Sequence, residues 1–562
     1  MKRVSRIFPF IFCALLCILA CSQFSCTSKV QPVHEQEAVM PQVYPKQAAE
    51  SYKRLASWIP EDSDMLFISG YGTLADAIIQ AKGWKLVDAD EFQKLLNDLG
   101  THYLLNPADL RTYFKAGMNT ESGFVAGVKD KTAFLIFDVY DQVKFRKWVD
   151  NFLNEEFGRP RYHELSDGAR KIVQIHILNR DFATLVEEPG KPVMITFGPG
   201  AMADAPPSLE AYHALSEGAH MADVPAAHER FISELRDAPL AAWIKSDGMP
   251  LESLKVPDEL RELYPWAKGA GVAFYFGTSG PKIRAFCDWR DRQYKDMPLG
   301  QWIAGLTQGS SGEWAKAILN THPSSMTRVL LNAEQIEPIV LSYLTDKQQN
   351  SYAELKDKLT QRFLKLNISE QVIYNMGAAW LVLYDAQAPA EQNATLMEVL
   401  SEQSAAVFVP LRDAADSDSF FSKVNILKGF VPKDLGTVEL EDEILHAKIN
   451  LKDGKLAHVA YSKGLIAVST EKGWAHVQEV FASTDAPAND SLFALDSHFF
   501  AMNLKQSDIS QIFGAHYAII REQIDAFLKP FERFEAQASA NATSMEVVLE
   551  AHLSKSVPSS SQ

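Results

Sequence analysis

The chain has 562 residues, is 47% hydrophobic and 10% aromatic, and carries a formal net charge of −16. That hydrophobic content excludes general disorder, and the length favours several domains. The acidic balance disfavours nucleic acid and anionic head groups as partners, because like charges repel.

Lys2, Arg3 and Arg6 open the chain, and Ile7 to Ala20 is an apolar run of about 14 residues broken only by Pro9. A membrane span needs about 20 residues, whereas this length suits the apolar region of an export signal. Ile18-Leu19-Ala20-Cys21 resembles the lipobox of bacterial lipoproteins: an aliphatic first residue, a small residue before the cysteine, and the cysteine itself. Leu19 is a less usual second residue. The resemblance implies a diacylglycerol thioether on Cys21, cleavage between Ala20 and Cys21, and acylation of the new amino group. Two or more acyl chains anchor a protein stably where one does not. An ordinary signal with a coincidental cysteine and an uncleaved span are the alternatives. Cys26 follows Gln23-Phe24-Ser25, a poor lipobox. Ser22, by resemblance to enterobacterial lipoproteins, implies the outer membrane, facing the periplasm. Loss of the three basic residues brings the formal charge from −16 to near −19.

Residues 1–20 are thus the expected lipoprotein signal peptide, and residues 21–54 a tether with Pro32, Pro41 and Pro45 among polar residues. A flexible segment of about 28 residues reaches on the order of 30 Å. Cys21, Cys26 and Cys287 are the cysteines left after cleavage. With Cys21 lipidated, Cys26 to Cys287 is the one intramolecular disulfide open to the chain. Cys287, in RAFCDW, reads otherwise as a small buried residue on a strand.

The body repeats itself. WIPEDSDMLFISGYGTLADAI from Trp58 parallels THPSSMTRVLLNAEQIEPIV from Thr321, each a proline, an apolar strand (Met65 to Ile68, Val329 to Leu331) and a helix starting near Leu74 or Ile336. The segments from Ser122 and Gly377 each hold two β-rich runs. An Asp and a turn then lead to a helix with Phe145 and Trp148, or Phe420, Phe421 and Val424, at core-facing spacing. Hairpin patterns follow from Lys171 and Ala447, with Asp453-Gly454 and Lys463-Gly464 marking tight turns in the second. Strand-break-helix patterns start at Leu240 and Phe499, and a closing strand pair at Val272 and Ala536. Asp508 to Glu535 reads as one long helix, kinked at Pro530. Hairpins with inserted helices predict an α+β fold: two related modules of largely antiparallel sheet covered by helices on one face, an internal duplication over 55–320 and 321–556, with a tail over 557–562. The body weakly resembles uncharacterised exported bacterial families classed as domains of unknown function. That likeness implies no catalytic residues.

Motifs for chemistry are sparse. G-x-S-x-G is absent, and Gly277-Thr278-Ser279-Gly280 reads as a hairpin turn. His213, His220 and His228 are spaced seven and eight apart, which does not gather ligands on one helical face. His446 and His458 lie in strand runs and read as surface or half-buried residues. Thr307 to Leu319, TQGSSGEWAKAIL, has the glycines of a phosphate loop but no Lys after the second, and reads as a linker and helix cap. Gly198 to Pro207 reads as a loop, and Glu155-Glu156 and Glu187-Glu188 as solvated faces. Asn393 and Asn541 begin glycosylation sequons that a bacterial lipobox makes irrelevant. Aromatics gather near domain edges: Trp58, Phe67, Tyr71 and Trp84, then Phe493, Phe499 and Phe500. The expectation is a non-catalytic, lipid-anchored envelope protein acting by binding or scaffolding, with no metal or cofactor. Its partners would be the membrane, through Cys21, and an envelope protein or apolar ligand. A periplasmic carrier or chaperone for lipid, and a hydrolase with an unrecognised site, are the alternatives.

Overall fold

The computed structural model describes residues 54–83, 105–202, 204–217, 238–245, 267–277, 279–291, 297–310, 314–335, 347–354, 369–385, 402–426, 436–451, 455–483, 498–509 and 528–554, with a few single positions between. Ala20, Cys21, Cys26 and the 557–562 tail lie outside the described residues, as do Trp84, His228, Asn393, Asp453-Gly454 and Phe493. The chain divides into two units, residues 1–287 with 556–562, and residues 288–555. Both are α+β.

In the first unit β1 (Met65–Gly70) runs straight into α1 (Tyr71–Gly83), three residues ahead of the expected start at Leu74. After α2 (Leu110–Lys115) come β2 (Gly123–Lys129) and β3 (Thr132–Phe137). Next is α3 (Gln142–Phe157), capped by Asp141, whose carboxylate accepts the Lys144 N–H. Its buried Phe145, Val149 and Leu153 fall four apart, on one helical face. β4 (Arg161–Asp167), β5 (Arg170–Ile177), β6 (Arg180–Glu187) and β7 (Val193–Phe197) follow, then α4 (Ser208–Ser216), β8 (Leu240–Lys245), β9 (Ala267–Phe276) and β10 (Pro281–Trp289). The strand order across the sheet is β10-β9-β8-β1-β2-β3-β7-β6-β5-β4. This sheet buries both faces, which corrects the expectation of one covered face. Ile172, Val186 and Met194 enter one core. Their neighbours Val173, Leu185, Val193 and Ile195 enter another with α3.

The second unit opens with the small ribbon of β11 (Gln293–Tyr294) and β12 (Met297–Pro298), α5 (Leu299–Leu306) and α6 (Trp314–Asn320). Ala315, Ile318 and Leu319 of α6 sit in this unit's core, so the division falls at 287/288 and not near residue 320. β13 (Ser325–Leu330), a short π-helical turn (Ser369–Ile373), β14 (Ala378–Asp385), β15 (Ser404–Pro410) and α7 (Ala414–Ile426) follow. Then come β16 (Gly436–Glu441), β17 (Ile444–Asn450), β18 (Leu456–Ser462), β19 (Leu465–Thr470), α8 (Trp474–Ala482), β20 (Phe500–Lys505), β21 (Phe531–Ala540) and β22 (Ser544–Leu553). The order is β22-β21-β20-β13-β14-β15-β19-β18-β17-β16, which is the first unit's order strand for strand. Its core holds Trp380, Phe408, Leu330 and Val477.

Two expectations are revised in this unit. β13 begins at Ser325, not near Val329, and Arg328 lies on its buried face, 5.6 Å from the Trp380 ring centroid. The long helix expected to reach Glu535 does not: Phe531–Ala540 is strand β21. Pro530 cannot continue a helical hydrogen-bond ladder, so it ends the helical pattern where a kink was expected. Two-residue turns close several hairpins with both central residues at positive φ, as at Asp130-Lys131, Asp442-Glu443 and Lys463-Gly464, the conformation that matches strand twist.

Candidate binding site in the second unit

The C-terminal end of α5 builds one wall of a cavity. Thr307 folds back, its hydroxyl donating to Ala304 O at 2.9 Å. The chain leaves as Gln308-Gly309-Ser310 and meets the start of β14, where the Ser310 N–H donates to Gly377 O at 3.1 Å. A Cβ on Gly309 would lie 2.1 Å from Gly377 O and 2.7 Å from the Leu331 N, so only glycine allows this approach.

Arg412, just past β15, is held from both ends. Its N–H donates to Asn375 O at 2.8 Å. Its Nη2 donates to Gln308 O at 2.5 Å and Leu331 O at 2.9 Å. Both protons of that nitrogen are spent on backbone carbonyls, which fixes the guanidinium plane. Among the described residues, Nε and Nη1 make no hydrogen bond. Phe499, whose carbonyl accepts the Leu330 N–H at 2.6 Å, and Ala540 at the end of β21 form the far side. Between these groups lies a cavity of about 470 Å³. Small-molecule sites run from about 300 to 1,000 Å³. Among the described residues its lining includes no carboxylate, histidine or cysteine. What it offers is a permanent cation, two hydroxyls, an amide and an aromatic wall.

A second cluster sits on the β17–β18 hairpin. Register pairs His446 with Ala460 and Lys448 with His458, so the two imidazoles are diagonal neighbours on one face. His446 Nε2 lies 2.9 Å from His458 Nδ1, and the rings are within 6° of coplanar. Trp474, the first residue of α8, stacks on both, with centroids at 4.1 Å and 4.9 Å. His458 is 4% exposed, which corrects the expected surface or half-buried placement. Burial depresses both imidazoles, and the His446 charge depresses His458 further. Glu471 lies 4.0 Å from His458 Nε2. Among the described residues no group of three or more His, Cys, Asp or Glu side chains could hold a metal ion.

The other residues weighed from the sequence are scattered. His213 is exposed on α4, and His220 makes an isolated bridge with Pro60. Cys287 is a half-buried thiol on β10. Glu187 is not on a solvated face: it is 7% exposed, 4.0 Å from Arg146 Nη1, and burial pushes its carboxyl up. Glu188 pairs with Arg170 at 3.0 Å. In the Gly198 to Pro207 region, Ser208 donates to the Asp181 carboxylate at 2.6 Å. That serine is fully buried with no histidine between, so the pair anchors the start of α4 and offers no nucleophile. Asn541 caps the β21–β22 turn by accepting the Thr543 and Ser544 N–H groups. Tyr71 is a core residue, and Phe499 packs against the second unit's core and also lines the cavity. Sequence reasoning does not reach the cavity: its loop reads as a linker, and the aromatic at 499 is the one signal that points toward it.

No family model matches this chain, and no curated protein matches it. Among solved structures, TP0453 in its crystal form III aligns with 43% of this chain and 82% of its own length, at 7% identity and a TM-score of 0.24. A likeness that slight supports neither a fold nor a function for this chain. Among the described residues no helix is long and apolar enough to cross a membrane.

Proposed function

We propose that this chain is a lipid-anchored protein of the bacterial envelope that works by binding a small ligand, without catalysis, in the second unit. The observation that carries this reading is the cavity at Arg412. A tethered cation, hydroxyls and an aromatic wall make a recognition surface, and among the described residues no histidine or carboxylate lines it to activate either hydroxyl. A cavity that mixes a cation, hydroxyls and apolar surface suits a small amphiphilic ligand better than a bare acyl chain, which favours binding over lipid carriage.

The anchor rests on Ile18-Leu19-Ala20-Cys21, and the outer membrane on Ser22. The matching strand orders support an origin by internal duplication, with the two units free to diverge at their loops. In the first unit, the bridge Met118–Val139 corresponds to Met376–Leu411 in the second. Tyr140 therefore stands where Arg412 does. It donates to Phe114 O at 2.9 Å and stacks on the Phe114 ring, where Arg412 binds two carbonyls.

The anchor is tested by labelling cells with radioactive palmitate. Wild type should carry label and sediment with membranes, and Cys21→Ser should do neither. Label persisting in the variant overturns the anchor. The binding role is tested by the experiment that closes the next subsection.

A further inference from the structure

We propose that the cavity takes an organic anion: one carboxylate on a remaining N–H of Arg412, with its apolar part against Phe499. This deepens the binding reading above and rests on it.

A guanidinium presents five N–H donors in a rigid fork. Two are consumed by Gln308 O and Leu331 O, which orients the rest. Both paired-donor edges of a guanidinium include Nη2, so the N–H groups left on Nε and Nη1 face different sides, and a carboxylate takes a single charge-assisted bond from one of them. Among the described residues no acidic side chain lines the cavity, although the chain holds 71 acidic residues against 55 basic ones. In so acidic a chain, a cavity with a cation and no carboxylate is selective for anions locally. Phe499 and Ala540 on the far side set the second requirement. A bare inorganic anion would leave them unfilled, while an aromatic or aliphatic acid fills them. The Thr307 hydroxyl keeps its proton on Ala304 O, so towards the cavity it can only accept. That oxygen would repel a second carboxylate placed on the α5 side, which favours a monoanion. A cation would meet Arg412 directly.

The probe is 4-fluorobenzoate, followed by fluorine NMR line broadening on the full mature chain. 4-Fluorobenzyl alcohol and 4-fluorobenzylamine serve as neutral and cationic matches, and inorganic phosphate as a competitor. 4-Fluorobenzoate should broaden saturably, the alcohol and amine should not, and phosphate should compete weakly. Arg412→Gln should weaken binding at least tenfold. Because Arg412 also ties two backbone segments, Ala304→Phe gives an independent check. It fills the cavity without touching those bonds, and should abolish broadening with an unchanged melting temperature. If the alcohol or amine binds instead and Ala304→Phe displaces it, the anion assignment is overturned while the cavity stands as a binding site. If no probe binds, or benzoate binding ignores both substitutions, the cavity reading falls as well.

Discussion

Replacing His446 by Gln should flatten the acid sensitivity of the second unit. The His446–His458 contact at 2.9 Å is an N–H···N bond, which needs a donor on one ring and a lone pair on the other. One shared proton preserves it, but two protons place N–H against N–H. With centroids 5.1 Å apart, two imidazolium charges repel by about 3 kcal/mol at an effective dielectric of about 20. Glu439 and Glu441 on β16 and Glu471 after β19 draw protons in, while Lys448 on β17 and burial under Trp474 oppose them. The sum leaves both imidazoles depressed, burial being the largest cause. The sign follows: the unfolded chain binds more protons, so the stabilisation is complete above the ordinary histidine value near 6.5 and declines as pH falls below it. Each withheld proton limits the slope to about 1.4 kcal/mol per pH unit. Glutamine can still donate to His458 Nδ1 but takes up no proton. Urea unfolding from about pH 7.5 to about pH 4.5 should therefore show wild type losing about 3 kcal/mol more than His446→Gln, the Coulomb cost worked above. Carboxylates that titrate in the same range are common to both proteins and cancel in the difference. Parallel curves for the two proteins would refute the paired-imidazole argument.

Trp380→Ala should cost the second unit about 3–5 kcal/mol, at the upper end because the side chain is fully buried and Arg328 lies over its ring. Urea unfolding reads this directly, and a loss under 1 kcal/mol, the scale of an ordinary surface change, would contradict the packing described. Gly309→Ala should cost about 1–3 kcal/mol by overpacking. It should also remove 4-fluorobenzoate broadening, since the added Cβ collides with Gly377 O at the cavity wall. Retained binding and an unchanged urea midpoint would show that the two backbones separate without consequence.

Local chemistry was legible in the sequence where it is local in the fold. The strand at Met65 to Ile68, the Lys463-Gly464 turn and the Asp-led start of α3 each depend on a few adjacent residues. The edge strand β4 was not, because RYHELSD is exposed at nearly every position and offers no alternation to read. Arg328 was hidden for the opposite reason: a charged residue in a strand reads as an outward position, yet here it faces inward, and its Nη2 donates to His498 O at 3.0 Å. The histidine pair needed the register between β17 and β18, which decides whether residues twelve apart share a face. The cavity needed more still, since Thr307, Arg412, Phe499 and Ala540 come from four separate stretches of chain.

The two units hold the same strand order with different chemistry at matching places, and that contrast bears on function. A position that only terminated a strand would tolerate any residue able to satisfy the neighbouring carbonyls. Tyr140 does that in the first unit with one hydroxyl, and its ring is covered by Phe114. Arg412 satisfies two carbonyls and also lines an open cavity. Leaving a cation there without a carboxylate forgoes an ion pair that a purely structural position would gain by placing one nearby. The first unit does place such partners: Arg54 lies 3.0 Å from Asp138, the residue two before Tyr140. At this position the two units therefore differ where the scaffold is already secured by its sheet, and in the second unit a ligand for Arg412 would complete the charge balance.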